Sequence, residues 1–583
     1  SGYNGFSSHF SFAYQSKKFA IFNGVTSRDY GDIIMGQNRS HGYDHWGIIY
    51  HYEDDGEIIE NDNLRTQPNT GYQQLDWINK IMFKINDYWR VTSNTQYSTT
   101  SNVPRFDKLN DIEEEICEFC GTGVPKFLYW YYGPQNRFFN SINLQGFQET
   151  KFFDRADFIV SYQKIQESRN QQKIDEDSLT IRKENVDVLS LNTNFKKGNF
   201  SYGSESIINF VESLSNLYEV SGDAVPVLGA TRYPSGGSTL ISNAIYLNYF
   251  KRFNEKLQIE AGVRSTVSSL RSTFADTISR IDLGIAGTSI KSNNHIFSGN
   301  IKITYYPNKN WKISSVTSKG FHSPNIDDMG KLFVKGDNLT IPNPSLAPEY
   351  AYSQEVSISK EIGNNLLIYG TAFYTQIEDA IVKDSIWVNL NANPPAGSNP
   401  DPHWENHVIY EQEVKYTFAN QNIGSAKIYG YTLGVEAKLL KNYKLYTDIN
   451  FTHGEMDDDL GPLAHIPPVF GKLLIQRNIG KLQVALDLNY ALAKSADDYD
   501  FAGVDNLDET PANITYNEFG DQITFYAGNP RWEVINLNCN YTINEKTSIQ
   551  LSLNNLLDKH YKVFASGISA VGRSFVITLR VNG

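Results

Sequence analysis

Long apolar runs are missing from this chain. None of its 583 residues belongs to a stretch approaching the ~18–20 apolar residues that a membrane-crossing helix requires, and mean hydropathy is −0.42, so a helical membrane protein is excluded. Cysteine is scarce: three residues are too few for a disulfide framework. No low-complexity stretch rich in Pro, Gly or Ser and no long charge run marks a linker, although a soluble chain of this length is expected to split into domains. Positive charge is not in excess: a net charge of −13 argues against nucleic acid as a partner. No secretory leader stands at Ser1, so the chain reads as mature or cut. There is no nucleophile elbow, no H-E-x-x-H and no phosphate-binding glycine loop, and no catalytic set can be assembled, so an enzyme is not expected.

What the chain does have is alternation. Leu482, Val484, Leu486, Leu488 and Tyr490 alternate with Gln483, Ala485, Asp487 and Asn489. Ile549, Leu551 and Leu553 alternate with Gln550, Ser552 and Asn554, and Leu257, Ile259, Ala261 and Val263 with Gln258, Glu260, Gly262 and Arg264. Successive strand side chains point to opposite faces, so each run has one apolar and one polar face. Asp, Glu and Arg on the polar face suit a wet lumen better than a packed core. The 36 Tyr and 8 Trp suit the two membrane–water interfaces.

Connections alternate in length as well. Short turns fall at 16–18, 86–88, 196–199, 254–256, 307–310, 363–365, 441–442, 480–481 and 544–546, and long polar connections at 36–68, 103–133, 217–240, 272–291, 385–407 and 496–522. A short-turn end and a long-loop end define an outer-membrane barrel, with turns in the periplasm and loops outside the cell. The expected fold is therefore all-β: a transmembrane antiparallel up-and-down β-barrel spanning 1–583 as one domain. Traced back from an inward last strand at 573–581, the strands end on an inward strand at 8–15, which gives an odd number, about 21. Bacterial single-chain barrels have even numbers and plugged transporters ~22, so one outward strand is expected before Ser1.

Several stretches carry a family resemblance. They are Val103-Pro104-Arg105-Phe106-Asp107, Trp130-Tyr131-Tyr132-Gly133-Pro134-Gln135, Gln166-Glu167-Ser168-Arg169, Ala464-His465-Ile466-Pro467-Pro468, and the closing run 554–561 with Ser566-Gly567-Ile568-Ser569-Ala570 and Gly572-Arg573. In that order they resemble the TonB-dependent outer-membrane receptors, in the form common among Bacteroidetes. The resemblance implies active import of a scarce nutrient: a ferric siderophore, haem or cobalamin. It also implies energy from TonB–ExbB–ExbD acting through an N-terminal plug that is expected to be absent from this chain together with the first strand. The terminal Val581-Asn582-Gly583 departs from the aromatic residue usual in the class.

Candidate ligand residues follow from the loops. Haem receptors of the family carry F-R-A-P and N-P-N-L blocks with a ligating His between them. Here Phe321-His322-Ser323-Pro324 and Asn343-Pro344-Ser345-Leu346 stand without a His between, and His322 lies inside the first block. Neutral imidazole is a good iron ligand; a polar strand-end residue is the plain reading. His403 and His407, beside Trp404, would share a face on a helix, but Pro394, Pro395, Pro400 and Pro402 oppose a helix entering from that side. His41, His45 and Trp46 sit in an aromatic loop that suits a planar ligand or ordinary interfacial packing, and Arg39 suits an anionic carrier or solvent. Cys117 and Cys120 are expected as a local disulfide in an exposed loop. No resident cofactor or metal is expected. Expected partners are outer-membrane lipid and lipopolysaccharide, a small-molecule iron complex and a surface lipoprotein. A passive porin would have fewer strands and no plug. A barrel serving as a surface interaction protein in a larger complex would have a stable partner and no uptake.

Overall fold

The computed structural model describes every residue except 1–3, 55–56, 118–121, 175, 221–224, 275–288, 391–402, 411–412, 441, 458–460, 502 and 517–521. One 24-stranded antiparallel sheet runs from Gly5–Gln15 to Ser574–Val581. Three of its members, Val103–Pro104, Phe127–Tyr132 and Val227–Leu228, are short pieces on the rim. Among the described residues the others form a meander in which each strand pairs with the next in chain order, as in a β-barrel.

Side-chain alternation fixes what each face meets. Ile475, Leu486, Leu537, Leu553 and Phe575 are register partners across five successive strands and form one apolar row on the outer face. One residue along from Leu486, Asp487 faces inward among polar partners. Asp487 accepts from the side-chain amides of Asn489 (2.7 Å), Asn536 (2.8 Å) and Asn538 (3.1 Å). Arg28 pairs with Asp76, which also accepts from Ser98, and Arg264 lies 2.5 Å from Glu205. A buried carboxylate without such donors would be expensive, so lumen charges come with their partners.

At one end the turns are tight and set by asparagine. The Asn86 carboxamide oxygen accepts from the amides of Tyr88 and Trp89, both at 2.9 Å, and Asn254 does the same for Lys256 and Leu257. Gly480 (φ 57°) supplies the left-handed residue of the turn between Phe470–Ile479 and Leu482–Ala491. All nine expected turns join neighbouring strands. A tenth connection at this end, 147–154, was not anticipated. Nor was the long outer hairpin in which Arg155–Lys173 and Ser178–Lys197, 19 and 20 residues long, pair along most of their length. A strand of 20 residues is about twice the ~9–11 that a tilted crossing needs.

The first and last strands each pair on one side only among the described residues, and Gly5–Gln15 is exposed throughout. The stretches 136–160 and 405–440 differ in where their strands go. Asn136–Gly146, Arg155–Lys173 and Ser425–Leu440 are regular barrel strands, whereas Trp404–Glu405, His407–Tyr410 and Glu413–Asn422 belong to structure built outside the sheet.

Candidate functional site

Among the described residues, three sets of outer loops make packed contacts with one another. In the first, loop 31–71 docks on loop 555–573. Gln67, fully buried, donates to the Ser569 carbonyl and accepts from the Ser569 amide, both at 2.8 Å. Arg65 forks onto Asp558 at 3.1 and 3.2 Å. Gly36 presses so close that a β-carbon there would lie 2.1 Å from the Lys559 carbonyl oxygen.

His41 and His560 meet at the centre of this contact, Nε2 to Nδ1, at 2.9 Å. The Tyr43 amide donates to His41 Nδ1 at 3.0 Å, so the His41 proton sits on Nε2 and points at His560. His560 Nε2 then donates to the Ser569 hydroxyl at 3.0 Å. Burial, with Arg39 adding repulsion, holds His41 down to about 4; burial, with Arg39, His41 and Lys562, holds His560 down to about 2. Both rings are thus neutral at neutral pH. Trp46 stands edge-on to both and donates its indole N–H to the Glu509 carbonyl at 2.9 Å. The Lys562 ammonium reaches the Glu509 carboxylate at 3.1 Å, and burial raises that carboxyl above its ordinary range. Arg39 donates to the carbonyls of Trp46 (2.7 Å) and Tyr43 (3.2 Å) and holds the loop's own turn. His45 bonds the Tyr50 hydroxyl at 2.7 Å. His41, Trp46 and Arg39 are therefore brought together as a packed interface between loops, and His45 lies apart from them on the exposed side.

The second unit joins loops 220–237, 323–348 and 379–424. His322 ends the outward strand Trp311–His322, and its Nε2 lies 2.9 Å from Asp328. Asp328 also closes a capping box with Asn325 at the start of the short helix Ile326–Gly330. Arg232 bridges to Asp327 at 3.1 Å. Beyond them Leu339, Ile341, Val408, Tyr410 and Ala419 form a small core of their own. His403 just precedes, and Trp404 and His407 lie on, two short strands with a bend at Asn406 between them rather than a helix, with His403 Nε2 2.9 Å and His407 Nδ1 3.7 Å from the two oxygens of Glu405. The helical face is not formed; the prolines that opposed it lie outside the described residues.

In the third unit loops 457–469 and 492–531 meet over the buried Asp505, which accepts twice from the His465 amide at 3.0 Å. Lys494 projects over the rings of Phe564 (4.3 Å) and Tyr499 (5.2 Å), and burial lowers its ammonium. A cleft of about 790 Å³ opens beside it, lined in part by Phe451, His453, Ile466, Pro467 and Phe501. Cys120 lies outside the described residues, as does the side chain of Cys117, so their pairing does too. Among the described residues no group of three or more His, Cys, Asp or Glu side chains that could hold a metal ion is found.

Residues 3–556 match the family described as TonB dependent receptor-like, beta-barrel. The chain belongs to that family. The iron-regulated outer membrane virulence protein of Vibrio cholerae serotype O1 is 23% identical over 279 residues, 46% of this chain and 37% of the relative. The receptor barrel is thus matched to well under half of that relative's length. Among solved structures, copper transporter OprC aligns with 99% of this chain and 78% of its own at 11% identity and a TM-score of 0.69. The ferric yersiniabactin uptake receptor FyuA from Yersinia pestis aligns with 99% and 78% at 14% identity and a TM-score of 0.63. At these identities the likeness shows the fold.

Three residues of the receptor barrel's loop interface escaped the sequence reading: Glu509, Lys562 and His560. His560 stood in the closing motif but carried no signal that it faces His41, because the pairing joins residues 519 positions apart.

Proposed function

We propose that this barrel is the outer-membrane portion of a receptor of the Bacteroidetes form that actively imports a scarce nutrient, an iron complex such as a ferric siderophore or haem, with cobalamin the neighbouring case. The observation that carries the reading is the family match over residues 3–556, on a barrel whose outer loops pack into a shaped surface. The relatives' printed names, which speak of iron regulation, ferric yersiniabactin uptake and copper transport, favour a metal-containing cargo. In this reading TonB–ExbB–ExbD supplies the energy, lipopolysaccharide surrounds the rim, and no chemical step on the ligand is needed. His322, at the mouth of the lumen, is the best placed of the sequence-derived candidates to meet a ligand entering the barrel. His41, Trp46 and Arg39 act instead by holding loops.

A titration of the intact receptor in detergent with haem, cobalamin and a panel of ferric siderophores tests this. Saturable binding of one of them supports it. Binding of none, together with co-purification of a stoichiometric partner protein, replaces it with the surface-interaction reading.

A further inference from the structure

We propose that Arg271 and Lys291 form a docking site for the phosphates of an anionic glycolipid of the outer leaflet. The site lies on the lipid-facing wall made by Ser238–Arg252, Leu257–Thr273 and Ser289–Tyr305. It rests on the outer-membrane setting of the barrel and not on what the barrel imports. The two cations are register partners on neighbouring strands, so their β-carbons stand about 4.5–5.5 Å apart on one face. That face points away from the lumen. Lys291, Asn293, His295 and Phe297 are exposed, while the intervening Ile290 and Ile296 are buried, Ile290 in a cluster with Leu270 and Met329. Like charges directly opposite one another repel, and among the described residues no carboxylate pairs with either cation. Nor does the wall supply one: on a chain of net charge −13, the outward positions of all three strands hold no Asp or Glu.

The levels of the wall follow the order of such a lipid. Ile245, Val263 and Phe297 are strongly exposed and suit acyl chains. Further out, Ser269 and Asn293 are register partners, and His295 Nε2 lies 3.0 Å from the Ser265 hydroxyl. Amide, hydroxyl and imidazole groups suit the hydroxyls of a sugar. Arg271 and Lys291 come next. A tilted crossing takes up to ~11 residues, which carries Leu257 to about Val267 and Tyr305 to about His295. Both cations stand four residues beyond those points, about 10 Å above the hydrocarbon, and their long side chains reach back to the headgroup layer. A guanidinium forks onto phosphate oxygens and an ammonium adds a point charge beside it. A phospholipid brings the phosphate without the sugar, so it fills only the upper level of the wall.

The test is native mass spectrometry of the full chain in a non-ionic detergent, titrated with lipid A bearing two phosphates, the same lipid A dephosphorylated, and phosphatidylglycerol. One equivalent of the phosphorylated lipid A is expected to stay bound, and added salt should weaken it. Arg271→Gln/Lys291→Gln should weaken that binding by about tenfold or more, and dephosphorylation should do the same to the wild type. Lys251→Gln, at the inner end of the same wall, should leave it unchanged, and heat-modifiable migration on gels should show every variant assembled. Wild-type affinity in the double variant overturns the proposal, as does equal binding of the dephosphorylated lipid by the wild type. Phosphatidylglycerol binding as tightly as lipid A overturns the glycolipid assignment. The cargo titration can succeed or fail without moving any of these results.

Discussion

Single residues on the outer rim are more constrained than their loop setting suggests. Gln67 is the clearest case. Its carboxamide satisfies both backbone groups of Ser569 in a buried place. Gln67→Ala would leave that N–H and C=O without partners, at about 1–3 kcal/mol for each group. The expected result is an exchange rate for the Ser569 amide raised roughly tenfold or more, read by hydrogen exchange on the folded protein. Strand residues show the complementary rule. Leu486 points to lipid and Asp487 to the lumen, one position apart. Leu486→Arg should cost about 2–4 kcal/mol if it lies near the bilayer midplane and should lower the yield of assembled barrel. Asp487→Asn keeps the lumen polar and should assemble normally. Heat-modifiability on gels distinguishes the two.

At the scale of elements, the docking of loop 31–71 on loop 555–573 depends on neutral histidines. Because the folded His41 titrates near 4 against an ordinary 6.5, the undocked loop binds the proton first as pH falls. The stabilisation is complete above pH 6.5 and is lost as pH drops from there towards 4. Protonated His41 would carry an N–H at Nδ1 facing the Tyr43 amide, and protonated His560 one at Nδ1 facing His41. Limited proteolysis within 31–71 should therefore accelerate between pH 7.5 and 5 in the wild type, and His41→Gln should flatten that dependence. The acid sensitivity is a property of the pair, which makes its legibility instructive. Strand faces, nine turns and the meander could be read from the sequence because each is a local period or a local Asn or Gly turn. The loop units could not. His41 with His560, Trp46 with Glu509 and Arg232 with Asp327 are chosen by tertiary packing, which leaves no periodic trace. His403 and His407 were legible as a pair, and the prolines warned against a helix, which does not form.

For the whole molecule, the polar lumen and apolar exterior follow from one alternation repeated along the chain, and the outer loops do not share that period. Deleting 391–402 should leave barrel assembly unchanged, as judged by the same gel shift, because the strands on either side of it, Val388–Asn389 and Trp404–Glu405, pair with each other in a small sheet separate from the barrel sheet. The Gln67–Ser569 contact has a different kind of consequence. It spans 502 positions, so it belongs to the slowest class of contact and cannot form until almost the entire polypeptide has entered the membrane. The clasp is therefore a timestamp: a chain arrested with its last hairpin uninserted would leave loop 31–71 open to protease, and only completed barrels would hide it.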